Sequence, residues 1–179
     1  MTEFELGDVE PIFEGHVFGV ERRHVTGEGA AFDREVVTHP GAVAIAGIDP
    51  TGAVLVLEQF RATMGARILE LPAGTLDVEG ESPTSAARRE LIEETGFHPA
   101  RLEALGTFLN SPGYSTQRTT VFLATELTEV GRSPVGPEET AMVVRHLPLD
   151  EALTMVAEGA IHDAMTVIGL LLVARRRGG

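Results

Sequence analysis

Apolar residues in this chain come mostly in short blocks cut by glycine, proline and aspartate, which is the spacing of strands. Phe13 to Val25 and Arg34 to His39 read as two short strands around the turn Thr26-Gly27-Glu28-Gly29-Ala30. The continuous apolar runs Ala42–Ile48 and Ala53–Leu57, split by Asp49-Pro50-Thr51-Gly52, predict a strand–turn–strand hairpin. Ile68-Leu69-Glu70-Leu71 leads into Pro72-Ala73-Gly74, and Arg101–Leu109, Thr119–Leu127 and Val143–Leu147 read as further strands. Helical patterns cover residues 83–95, Leu149–Glu158 after Pro148, and His162–Arg177. In the last of these Met165, Ile168, Leu171 and Leu172 recur at helical spacing and are expected to face the core. Strands interleaved with helices predict an α/β fold with a mixed sheet covered on both faces.

The helix over residues 83–95 carries most of the chemistry. Ser82 is a capping residue, Pro83 suits the first helical position, and Gly96 is the expected left-handed stop. Glu90, Glu93 and Glu94 stand at i, i+3 and i+4, so three carboxylates share one face about one turn tall. Like charges at that spacing repel each other. One reading is a solvated acidic face; the other is a site for a hard divalent cation, which takes oxygen ligands of this kind.

Composition narrows the classes. A chain of 179 residues is long enough for one ordinary core. The net charge of −13 argues against a nucleic-acid or anionic-membrane binder. All 14 basic residues are Arg, so any cationic substrate contact must be a guanidinium. There is no Cys, hence no disulfide or thiolate zinc site. The N-terminal MTEFELGDVEP has no apolar core of a signal peptide, and the longest apolar run, Val167 to Ala174, is too short to cross a bilayer. A cytoplasmic protein is expected.

Gly74, Glu81, Arg89-Glu90-Leu91, Glu93-Glu94 and Gly96-Phe97 closely resemble the signature of the Nudix hydrolases, G-x5-E-x7-R-E-U-x-E-E-x-G-U with U bulky and apolar. The one departure is six residues rather than five between Gly74 and Glu81, in the loop before the helix, where an insertion does not rotate the carboxylate face. Flanking segments resemble the ADP-ribose pyrophosphatase branch: Gln59-Phe60-Arg61, then Glu70-Leu71-Pro72-Ala73-Gly74, then Pro112 at 15 residues beyond Phe97. Tyr114, 17 residues beyond Phe97, is a rival signal, since diadenosine-polyphosphate hydrolases of the same superfamily place a Tyr in that range. The resemblance extends over about Arg34 to Val173 and implies an α/β/α sandwich, with residues 1–40 as an N-terminal arm of strands and 41–179 as the Nudix domain.

The resemblance also implies roles. Two or three Mg²⁺ ions (Mn²⁺ as the substitute) would be held by Glu90, Glu93, Glu94 and the Ala73 carbonyl, with Arg89 pairing Glu93 one turn on and Glu81 orienting the loop. A glutamate on a distant loop serves as the base in this branch; in Gly136-Pro137-Glu138-Glu139-Thr140 the register points to Glu139, with Glu138 next. Arg61 is suited to bidentate contact with phosphate, and Ser111, Pro112 and Gly113 to a turn that approaches ribose or phosphate closely. Thr75 joins the substrate set. Many ADP-ribose enzymes have an acidic residue where this chain has Gln117, which can hydrogen-bond a hydroxyl but cannot act as a base. The family's active unit is a dimer with swapped N-terminal strands, which would bring Arg34, Glu35 and His39 to the nucleotide of the partner's site. The expected reaction is hydrolysis of ADP-ribose, or a related nucleoside-diphosphate substrate, to AMP and ribose 5-phosphate. A nucleotide sensor without activity is the alternative class, and an intact motif argues against it.

Overall fold

The computed structural model describes residues 3–178. The chain forms two compact units, Met1–Gly41 with Phe108–Thr119, and Ala42–Thr107 with Thr120–Gly179.

In the first unit β1 (Glu5–Glu14), β2 (Gly19–Gly27) and β3 (Ala30–Thr38) form an antiparallel sheet in that order. The β2–β3 turn is the pair Glu28-Gly29, both at positive φ (52° and 76°), as a two-residue hairpin loop matched to strand twist requires. Two expectations need correcting. Phe13–Val25 is not one strand, because the chain turns at Gly15, whose amide bonds the Phe18 carbonyl at 3.0 Å. The strand β1 was not foreseen: it mixes Gly7, Asp8 and Pro11 with no alternation, and it is a strand because it pairs with β2. As an edge strand it tolerates Pro11. Residues 111–116 lie along β3 in this unit, with Val37 N–H donating to the Tyr114 carbonyl at 2.8 Å and Thr116 N–H to the Val37 carbonyl at 2.9 Å.

The second unit holds β4 (Ala42–Gly47), β5 (Val54–Arg61), β6 (Ala66–Glu70), β7 (Ala73–Thr75), α1 (Pro83–Thr95), most of β8 (Phe97–Leu109) and β9 (Arg118–Glu129), α2 (Gly136–Thr140), β10 (Val143–Leu147), α3 (Leu149–Ala157) and α4 (Ala164–Arg177). Its strands form two sheets, ordered β7-β4-β9-β8 and β10-β5-β6. The predicted β4–β5 hairpin is therefore not a ladder: the strands enter different sheets and share only the bridge Ile48↔Val54. Both runs are apolar on both faces, so their pattern names no partner. The turn between them is set by Asp49, whose carboxylate accepts from the amides of Thr51 (2.8 Å) and Ala53 (3.0 Å), the Thr51 hydroxyl and His146.

Alternation along β4 and β5 divides the core into two layers. Val43, Ile45 and Leu55 pack with Ala86, Ala87 and Leu91 of α1. Ala46, Val54 and Val56 pack with Ala152 of α3 and with Leu170 and Val173 of α4. Helices cover both faces, as expected of the α/β/α arrangement. The buried stripe of α4 is displaced from the predicted one: Thr166, Gly169, Leu170 and Val173 face inward and Leu171 is exposed. The reason is close approach. A Cβ on Gly169 would sit 2.5 Å from Leu71 Cδ1, and the Thr166 hydroxyl accepts the Leu71 amide at 2.9 Å, so small residues set the contact.

Candidate active site

Helix α1 is built from its ends inward. Ser82 Oγ accepts the Ser85 amide at 3.1 Å, Pro83 opens the helix, and Gly96 closes it at φ 80° with its N–H on the Ile92 carbonyl. A Cβ on Gly96 would also meet the Arg132 nitrogen at 2.9 Å. Ala86, Ala87 and Leu91 anchor the buried side, and Glu90 and Glu94 are buried with them. Burial of two carboxylates is unfavourable unless something neutralises them.

Three features meet that demand in part. Arg89 holds three carboxylates. Its Nε and Nη2 grip Glu81 at 3.1 and 3.0 Å, and its Nη1 reaches Glu90 at 2.8 Å and Glu93 at 3.1 Å. Glu94 Oε2 accepts the Ala73 amide at 2.9 Å. Gly74 leaves room for Glu90, since a Cβ there would fall 2.0 Å from the carboxylate carbon. Even so the site is short of positive charge. Burial, with Glu93 and Glu139 adding repulsion against the pull of Arg89, pushes Glu90 up to about 7. Burial pushes Glu94 up to about 8, helped by Glu90 and Glu139 and opposed by the Ala73 amide and Arg61.

Glu139 thus acts on both buried glutamates although it belongs to α2, 45 residues beyond Glu94 in the sequence. The expected loop contains a single helical turn. Glu139 is half-buried with its Oε2 on the Val135 amide at 2.5 Å, whereas Glu138 is exposed. Arg61 stands near Glu94 and is held by its Nε on Glu70 Oε2 at 2.8 Å, an oxygen that also takes Gln59 Nε2 at 2.6 Å. Thr75 is half-buried at the end of β7, paired with Ala42. Glu70 holds Arg61 and Gln59 here, although the segment that carries it gave it no role of its own. A lone carboxylate between Leu69 and Leu71 in an apolar strand was the available signal, because a buried charge requires partners.

Among the described residues no three His, Asp or Glu side chains are grouped to hold a metal ion as they stand. Their oxygens are turned to Arg89 and the Ala73 amide. The donor set nevertheless fits a hard divalent cation: all oxygen, buried, mutually repelling, and cradled against a glycine backbone.

The remaining predicted residues lie in the first unit. Arg34 lies over the Phe32 ring at 4.2 Å and donates to the Asp33 carbonyl, and Glu35 faces Arg22 at 3.6 Å. His39 Nδ1 accepts the Gly41 amide, and burial lowers its pKa. Ser111 adopts φ 53° and its carbonyl takes the amides of Tyr114 and Ser115, a tight turn that exposes Pro112 and Gly113. Gln117 N–H donates to Ser115 Oγ at 3.1 Å.

The NUDIX domain model matches residues 37–165, a span that includes the whole glutamate motif and Glu139. The chain belongs to the Nudix family. Two relatives resemble it along most of their length. An ADP-ribose pyrophosphatase of Mycobacterium tuberculosis is 40% identical over 172 residues, covering 96% of this chain and 83% of the relative. An ADP-ribose pyrophosphatase of Bacillus subtilis is 36% identical over 162 residues, covering 90% and 87%. The solved structure of an ADP compounds hydrolase superimposes with a TM-score of 0.84 over 99% of this chain and 95% of its own, at 23% identity, which makes this a likeness of fold. The motif from Gly74 to Phe97 lies wholly within the matched residues 37–165 and carries the acidic face of α1.

Proposed function

We propose that this Nudix protein hydrolyses the pyrophosphate bond of ADP-ribose, or of a closely related ADP-sugar, giving AMP and the sugar phosphate. One observation carries the reading: two buried carboxylates on α1, Glu90 packed against Gly74 and gripped by Arg89, and Glu94 held by the Ala73 amide, carry more negative charge than the protein neutralises. The two ADP-ribose pyrophosphatases support the choice of substrate.

Mg²⁺ is the expected metal and Mn²⁺ its substitute, two or three ions held by Glu90, Glu93, Glu94 and the Ala73 carbonyl; when bound they supply Lewis-acid neutralisation of the pyrophosphate. The chain's own residues do the rest. Arg89 keeps the acidic face in register through Glu81 and Glu93. Arg61, tied back by Nε to Glu70, has its terminal nitrogens for phosphate oxygens. Glu139 accepts a proton from the attacking water. The water oxygen bonds to one phosphorus as the bridging P–O bond breaks, and the other phosphate ester leaves with the bridging oxygen. Thr75, Ser111, Pro112, Gly113 and Gln117 are assigned to the substrate.

The working unit is proposed to be a dimer in which Arg34 and Glu35 serve the partner's nucleotide. The edge strand β1 supports this with exposed Leu6, Val9, Ile12 and Phe13, an apolar surface that a second copy would cover. Deleting the residues before Gly41 should then lose dimerisation and ADP-ribose affinity together. No described helix is long and apolar enough to cross a membrane, and the cytoplasm is the proposed location. The decisive assay follows AMP release from ADP-ribose, diadenosine polyphosphates and nucleotide sugars, with Mg²⁺ and with chelator. Preference for ADP-ribose supports the reading; preference for a diadenosine polyphosphate, or full activity in chelator, overturns it.

A further inference from the structure

Helix α2 has little to hold it. It spans five residues, buries none, and the N-cap residue Val135 has no capping side chain of its own, its amide donating to the Glu139 carboxylate. A helix this short is not stable by itself, and its terminal carbonyls need partners. The amides of Ala141 and Met142 donate to the carbonyls of Pro137, Glu138 and Glu139, and guanidinium groups add to them at the helix end. Arg132 donates Nη2 to the Glu139 carbonyl at 2.8 Å and Nη1 to the Met142 carbonyl at 3.2 Å. The exposed Arg67 adds a bond to the Ala141 carbonyl at 3.2 Å.

Arg132 is itself fixed by the end of α1. The Gly96 carbonyl accepts the amides of Val130 (2.8 Å) and Gly131 (3.2 Å), and the Gly96 backbone touches Arg132, with no room for a Cβ. Burying a guanidinium is unfavourable unless its donors find acceptors, yet Arg132 Nε is buried without one. Packing alone does not favour Arg here.

We propose that Arg132 is a positioning residue that couples the C-terminal end of α1 to the backbone of Glu139, so that the carboxylate faces the acidic site. The coupling runs from Gly96 through residues 130–132 to the Glu139 and Met142 carbonyls. It rests on the reading of Glu139 as the base. Arg132 touches no reacting atom and acts on proton transfer only through where it holds α2.

The test is a double-mutant cycle of Arg132→Met with Glu139→Gln, scored by kcat and KM at saturating Mg²⁺. Hydrogen exchange is followed at Ala141 and Met142, whose amides bond carbonyls of α2. A displacement of about 1 Å at a catalytic group costs up to about 10²-fold, so Arg132→Met should lower kcat about 10- to 100-fold with KM within a few-fold. It should cause little further loss in the Glu139→Gln background and should speed exchange at both amides. Arg132→Lys, which reaches one carbonyl at best, should recover part of kcat; Arg67→Met should lose less than Arg132→Met. Wild-type kcat in Arg132→Met, or a loss that multiplies with that of Glu139→Gln, overturns the proposal. Should Glu139→Gln prove fully active, the base assignment fails by itself. The clamp then stands or falls on exchange, and unchanged rates at Ala141 and Met142 in Arg132→Met overturn it.

Discussion

Asp49, in the β4–β5 turn, and Glu94, on α1, are both buried carboxylates, and the fold treats them in opposite ways. Burial alone would raise Asp49, but donors from Thr51, His146 and the amides of Ala53 and Thr51 outweigh it and bring the pKa down to about 2. Glu94 has one amide and two carboxylate neighbours, and rises to about 8. Burial therefore does not distinguish a structural acid from a functional one; the supply of donors does. An acid short of donors is stabilised by a ligand cation. An acid rich in donors holds a turn.

The largest effect should come from the under-supplied acid. Glu94→Gln, and likewise Glu90→Gln, should cut turnover by orders of magnitude, while the melting temperature of the metal-free protein at neutral pH stays level or rises, because burial disfavours the ionised carboxyl that the unfolded chain carries. Isothermal titration with Mg²⁺ should show weakened binding. An active Glu94→Gln variant, or one that unfolds, would place Glu94 with Asp49 and break the contrast.

Glu139 comes next. Replacing a general base costs about 10²–10⁴-fold, so Glu139→Gln should lose that much kcat with KM within a few-fold, and Glu138→Gln much less. Steady-state kinetics over a range of pH separates them, since hydroxide at high pH should partly rescue Glu139→Gln and not Glu94→Gln. A larger loss for Glu138→Gln would shift the base by one position.

The legibility of the chain follows the same division between local and distant determinants. Helix α1 was readable from Ser82 to Gly96 because its caps, its acidic face and its apolar side are all local in sequence. The sheet partners of β4 and β5 were not, since strands apolar on both faces give no cue to their neighbours. The inward face of α4 was misplaced because Gly169 and Thr166 form it by close approach to Leu71, and periodicity counts large side chains only. The proposed metal and base residues were read from family register; the Arg132 and Glu70 contacts depend on tertiary partners that no spacing announces.

Asp49→Ala should act on stability alone. It leaves the buried Ala53 amide without its acceptor, which costs on the order of 1–3 kcal/mol, while the exposed Thr51 and His146 donors can turn to water. The folded pKa lies below the ordinary 3.8, so the stabilisation is complete above about pH 4 and is lost as pH falls through about 2. Chemical denaturation at pH 7 and pH 2 should therefore show a large difference between wild type and Asp49→Ala at the higher pH and a small one at the lower. Activity per folded molecule should be unchanged.

Glu70 tests the middle of the scale, and its effect should be the smallest. It is buried, and its one oxygen Oε2 takes both Gln59 Nε2 and Arg61 Nε, so it is supplied with donors like Asp49 while pointing one of them toward the acidic site like Glu94. Glu70→Gln keeps an acceptor oxygen and removes the charge, so Gln59 and Arg61 cannot both be held as before. The guanidinium is then aimed less well, while the carboxylates of α1 and Glu139 keep their places. A charge-assisted hydrogen bond of this kind is worth about 1.5–3 kcal/mol. In the proposed role Arg61 binds phosphate in ground state and transition state alike, so the loss should appear as a several-fold rise in KM with kcat nearly unchanged. The same variant should lower the melting temperature less than Asp49→Ala does. A fall in kcat at constant KM would instead mean that Arg61 grips the phosphate only as the bond breaks, and would move Glu70 to the functional side of the comparison.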